Sequence, residues 1–96
     1  MTNTTHRTSR PSLRFPLGRL LATPGVLELG VDLLPLIKRH VRGDWGDLCE
    51  EDRAANERAL LEGTRILSAY VLPQGKVWII TEADRSVTTA LMPGEY

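Results

Sequence analysis

The apolar positions change their spacing once along the chain. Up to residue 63 they recur at helical intervals, and from residue 64 they alternate or run together as in strands. Thr23-Pro24-Gly25 predicts a first helix start, with Thr23 as cap and Pro24 where its missing N–H is harmless. Val26, Leu27 and Leu29 follow, and Gly30 stops this short helix. Asp32 is the cap candidate of a second helix, whose Leu33, Leu34, Ile37 and Val41 form one apolar stripe and whose Pro35 falls in the first turn. Lys38, Arg39, His40 and Arg42 crowd its last turn, where positive charge opposes the negative end of the helix dipole, and Gly43 ends it.

A third helix starts at Asp47, which forms a capping-box pattern with Glu50. Glu50, Glu51 and Asp52 sit at the positive dipole end, and Gly63 closes the helix. Its face of Ala54, Ala55, Ala59, Leu60 and Leu61 is narrow, as suits close packing on a sheet. Strands follow at 65–72, 76–81 and 86–92, separated by turns at 73–75 and 82–85 and stopped by Pro93-Gly94. Val77 to Ile80 is apolar on both faces, which marks a central strand. Residues 17–22 read either as a fourth strand or as a lead-in. The order, helices first and strands after, predicts an α+β domain with its helices packed on one face of a three- to four-stranded antiparallel meander.

Composition narrows the classes. Ninety-six residues make one domain with a small core. The formal charge is zero, so net charge does not imply nucleic acid, and no apolar run is long enough to span a bilayer. The first residues are Thr-, Ser- and Arg-rich with no signal-peptide stretch; residues 1–15 read as a flexible basic arm and 16–96 as the domain. A single cysteine, Cys49, excludes an internal disulfide and fits a cytoplasmic protein; it reads as structural.

The chemistry-bearing residues gather in few places. The run Asp44, Asp47, Glu50, Glu51, Asp52 lacks calcium-loop spacing and reads as helix capping; no metal or other cofactor is expected. His40 reads as a helix-end residue, with general-base work as the alternative. Trp45, between two glycines, divides evenly between loop anchor and contact residue. Trp78 reads as core. The segment WIITEADRSVTT places Glu82, Asp84, Arg85 and Thr88 about one turn, and a meander carries Arg65 to the same end of the sheet. Arg65, Glu82, Asp84 and Arg85 are therefore the candidate catalytic residues, and Asp44, Trp45, Arg85 and Thr88 the candidate binding residues. A sheet apolar on both sides leaves one face for a partner, a second copy of the chain included.

The segments RHVRGDWGDLCEEDRAANERAL, RILSAY, WIITEADRSVTT and PGEY together resemble a family of short bacterial proteins carried on plasmids and integrative elements. That resemblance implies an accessory protein of mobile genetic elements that acts by binding a protein, as an inhibitor of a host-defence component of the CRISPR or restriction kind. The alternative rests on a second resemblance. R-x-x-S in one strand followed by T-x-x-D-R-x-x-T-T is similar to the barnase, colicin and RelE-type ribonuclease fold, with Arg65, Glu82, Asp84, Arg85 and Thr88 at the matching positions. That likeness implies a small ribonuclease or RNA-binding module, with Arg85 standing where such an enzyme has histidine.

Overall fold

The computed structural model describes residues 13–96. The chain runs β1 (Arg19–Ala22), α1 (Pro24–Glu28), α2 (Leu34–Val41), α3 (Glu50–Glu62), β2 (Ile66–Leu72), β3 (Gly75–Thr81), β4 (Val87–Leu91) and a final 3₁₀ turn (Pro93–Glu95). It is an α+β fold, as the pattern predicts. β2, β3 and β4 form the antiparallel meander, with Ser68 opposite Ile79 and Ile79 opposite Ala90. The fourth strand is real, but it runs parallel to β4, so the sheet is mixed and ordered β1-β4-β3-β2. The expectation of a wholly antiparallel sheet fails because β1 is separated from its neighbour by the entire chain between them. No local turn dictates its direction.

Helix starts show where side-chain chemistry is redirected. Thr23 caps α1 as its sequence suggests, accepting from the Val26 N–H at 3.2 Å. Asp32 accepts from the Leu34 N–H at 3.3 Å ahead of α2. α3 begins at Glu50 with Cys49 as its cap residue, not at Asp47. The Asp47 carboxylate instead reaches the Val71 N–H of β2 at 2.8 Å, so the D-x-x-E box does not form. Cys49 is exposed rather than packed. The stripe of α2 is also turned: Leu36, His40 and Val41 are buried, while Leu34 faces solvent.

Helices cover one face of the sheet. Val26 of α1 and Leu36 of α2 join Tyr70, Val77, Ile79 and Ala90 in the main cluster, and Phe15, Trp45, Ala59 and Ile66 form a second. Phe15 belongs to the fold, and Arg14 does too: its N–H donates to the Val41 carbonyl and its guanidinium pairs with Glu57 at 2.9 Å. Arg14 and Phe15, which the sequence assigns to the arm, thus pack against the domain, and the rest of that assignment, residues 1–12, lies outside the described residues. Strand alternation turns Leu21, Leu67, Ala69, Trp78, Ile80 and Leu91 to the opposite face. None of these six belongs to either helix-containing cluster.

The β2 edge is closed by three separate devices. The Asn56 amide of α3 donates to the Leu67 carbonyl at 2.7 Å and accepts from its N–H at 3.2 Å. The loop after α2 then lies along the strand, with Asp47 N–H on the Ala69 carbonyl at 2.6 Å and Ala69 N–H on the Trp45 carbonyl at 3.1 Å. The Asp47 carboxylate takes the Val71 N–H. Gly46 sits at this crossing with φ 77°, and a Cβ there would strike the Ala69 carbonyl. Only a residue without a side chain admits so close an approach.

Candidate functional site

The turn that joins β3 to β4 carries the residues singled out by sequence. Asp84 accepts from the Ser86 side chain and N–H, the latter at 3.0 Å, which holds its carboxyl below the usual carboxylate range. The Arg85 N–H donates to the Glu82 carbonyl at 2.9 Å, closing a tight turn. Arg85 adopts φ 61°, an uncommon conformation for a residue with a Cβ. Its guanidinium turns back to the end of α3, donating to the Thr64 carbonyl at 2.6 Å and the Ala59 carbonyl at 3.1 Å. A cation there opposes the dipole, and it shares the Ala59 carbonyl with the Gly63 N–H that closes the helix.

The two arginines do not share a site. The Arg85 guanidinium lies 5.8 Å from the Phe15 ring, on the helix-covered side. The Arg65 guanidinium lies 5.0 Å from the Tyr96 ring, which stands edge-on to Trp78 at 6.1 Å on the other side. The sheet thus separates Arg65 from Arg85, and Arg85 is fully engaged with backbone carbonyls.

Trp45 is 3% exposed and packs inside the fold. Its ring stacks on Phe15 at 6.2 Å and its indole N–H donates to Glu57 at 3.0 Å. Asp44 pairs with Arg39 at 2.7 Å, and that guanidinium holds the carboxyl below its ordinary range. The Asp44 carbonyl accepts from the Tyr70 hydroxyl at 2.7 Å, while burial pushes the Tyr70 phenol up to about 12.

A buried polar row accounts for His40 and Thr88. His40 is fully buried and does not serve the helix end, as its position in sequence suggests. Its Nδ1 lies 2.6 Å from the Ser68 hydroxyl and its Nε2 lies 2.9 Å from the Thr81 hydroxyl. The Thr81 and Thr88 hydroxyls are 2.7 Å apart, and Thr88 donates to the Leu17 carbonyl at 2.7 Å. That carbonyl can only accept, so the proton order follows along the row. Thr88 donates to Leu17, Thr81 donates to Thr88, His40 Nε2–H donates to Thr81, and Nδ1 accepts from Ser68. Every member is satisfied with a neutral imidazole, and burial lowers the His40 pKa to about 4.

A serine hydroxyl donating to an imidazole nitrogen is the contact of a nucleophile and its base. Here Ser68, His40, Thr81 and Thr88 are all within 1% of complete burial, so no substrate reaches them. Sequence reasoning missed this row because its partners come from four elements. The available signal was hydroxyl residues at inward positions of three neighbouring strands: Ser68, Thr81 and Thr88.

The exposed chemistry lies elsewhere. The helix-free face carries the exposed Leu21 and Tyr96 and the half-buried Leu67 and Trp78, beside Arg65. A cleft of about 230 Å³ borders it, lined by Leu48, Asp52, Ala55, Asn56, Arg65 and Leu67. A larger one, about 360 Å³, lies on α2 between Leu13, Lys38, Val41 and Arg42, away from the β3–β4 turn. Among the described residues no group of three His, Cys, Asp or Glu side chains could hold a metal, and no helix is long and apolar enough to cross a membrane. Comparison with protein-family models, curated proteins and solved structures finds no match to the chain.

Proposed function

We propose that this chain is a small binding protein that acts through the helix-free face of its sheet, with a protein as its partner. The observation that carries the reading is this face: strand register places Leu21, Leu67 and Trp78 on it, Leu21 exposed and Leu67 and Trp78 half-buried around the buried Ala69, Ile80 and Leu91, and neither helix-containing cluster includes them. An apolar surface with an aromatic centre and charged rim is the usual form of a protein contact. Arg85, Thr88, Trp45 and His40 support the same reading from the other side, since internal bonds or burial occupy each of them.

The resemblance to plasmid and integrative-element proteins supplies the finer form. The partner would be a CRISPR or restriction component of the bacterial host, and docking would inhibit it. The test is cleavage by the purified host nuclease complex with increasing amounts of this chain. Inhibition that is lost in Trp78→Ala and Leu67→Lys variants supports the reading. Full cleavage at saturating chain removes the defence role.

RNA binding draws support from one observation, the cluster of Arg65, Tyr96 and Trp78, since bases stack on aromatic side chains. Fluorescence of Trp78 titrated with short single-stranded RNA separates the two. Quenching that saturates and weakens with salt would favour RNA.

A further inference from the structure

The two edges of the sheet are treated differently, and the open one is self-complementary. In the parallel pair of β1 with β4, Arg19 and Thr23 direct their N–H groups to the Ser86 and Ala90 carbonyls. By alternation, the N–H and C=O groups of Leu20 and Ala22 point outward. Among the described residues nothing pairs with them. Leu20 and Leu21 are 51% and 47% exposed on the two faces of this strand.

We propose that β1 pairs antiparallel with β1 of a second copy, about a two-fold axis at Leu21. The register is fixed by the groups present. Only Leu20 and Ala22 have outward backbone groups within the strand, and Pro24 has no N–H to extend the ladder. Leu20 of one copy therefore faces Ala22 of the other and exchanges both backbone bonds with it, twice over by symmetry. Leu21 meets its own counterpart as a non-hydrogen-bonded pair. The two sheets become one of eight strands, and the two helix-free faces become continuous.

Charge agrees with this register. Arg19 of one copy falls opposite Thr23 of the other. Thr23 donates to the Glu95 carboxylate at 2.6 Å, so an acid waits where the arginine arrives. Arg19 has no acidic partner within its own described chain, where ion pairs join Arg14 to Glu57 and Arg39 to Asp44. No like charges face each other. The surface is the kind that closed C2 dimers use, the same patch on both copies. It is a different surface from the sheet face proposed for the protein partner, and it stands without that reading.

A four-residue edge is short, so the dimer forms with rising concentration. Sedimentation of the whole chain from about 10 μM to about 1 mM spans the range for small interfaces. The expected result is a monomer–dimer equilibrium weakened at least tenfold by Leu21→Lys, which sets two cations on the axis, and by Ala22→Pro, which deletes an outward donor. Register is tested by cross-linking in a Cys49→Ser background. Facing residues of a non-hydrogen-bonded pair have Cα atoms about 4.5 Å apart, within reach of a disulfide. Leu21→Cys should oxidise to a covalent dimer much faster than Leu20→Cys. A monomer at every concentration overturns the proposal. So does a dimer dissolved by Trp78→Ala but indifferent to Leu21→Lys, which would place the contact on the sheet face.

Discussion

The two outer strands of this sheet differ in every respect but their position. β2 is seven residues long and its outward backbone groups are taken in turn by the Asn56 amide, a crossing loop and the Asp47 carboxylate. β1 is four residues long, and among the described residues its outward groups have no partner. An open edge is a template for another strand, and proteins usually blunt theirs. Here one edge is closed by residues drawn from two elements, and the other carries exposed leucines. The difference teaches that closure follows from where the helices and loops fall. α3 and the loop before it serve β2, and nothing among the described residues serves β1.

The comparison breaks most sharply at Gly46. Gly46→Ala forces a Cβ into the Ala69 carbonyl and the Tyr70 ring at φ 77°, so the loop must leave β2. The expected loss is about 3–4 kcal/mol, read from urea unfolding, and it exceeds the left-handed penalty of about 1–2 kcal/mol alone.

Acid comes next. The His40 pKa is about 4 in the fold against about 6.5 free, so the unfolded chain binds the extra proton. Stability is complete above about pH 6.5 and falls as pH drops toward about 4. A shift of that size corresponds to about 3 kcal/mol for this fully buried group. Below that window the carboxylates of Asp44 and Glu57, held low by Arg39 and Arg14, lose their partners as they protonate. Urea midpoints measured at several pH values show the first fall between pH 6.5 and pH 4. A flat response there contradicts the neutral buried imidazole.

Asn56→Ala opens the closed edge without disturbing the open one. Two backbone groups of Leu67 lose their partners, with an expected cost of about 2 kcal/mol. Hydrogen exchange should accelerate at Leu67 and stay unchanged at Leu21, whose N–H faces β4. The smallest effect belongs to β1 itself. Leu20→Lys changes a side chain exposed in the single chain, so unfolding at concentrations below those of the dimer should move by no more than about 0.5 kcal/mol. A large loss there would mean that β1 is covered in solution.

Much of the fold is legible from residue pattern, because β2, β3 and β4 follow one another through short turns and α3 carries its own start and stop residues. What escaped was set by distant partners. Nothing local to residues 17–22 orients β1 against β4. Asp47 has the local features of a cap, yet an unpaired N–H on Val71 claims its carboxylate. His40 looks like a dipole-opposing residue on α2, yet it lies one turn beyond Leu36 on the same buried face. The candidate cluster at 82–85 was legible as a turn, and the sequence also brought Arg65 near it along the sheet. It did not reveal that strand alternation and Arg85's left-handed backbone would send the two guanidiniums to opposite sides.

The polar row beneath the sheet also carries information. One carbonyl, at Leu17 ahead of β1, is the only pure acceptor at its end and thereby decides which nitrogen of His40 bears the proton. If that lead-in detaches, Thr88 loses its anchor, the hydroxyls are free to reverse together, and either imidazole nitrogen can hold the hydrogen. The nitrogen chemical shifts of one buried ring would then report, across the width of the sheet, whether the first strand is docked.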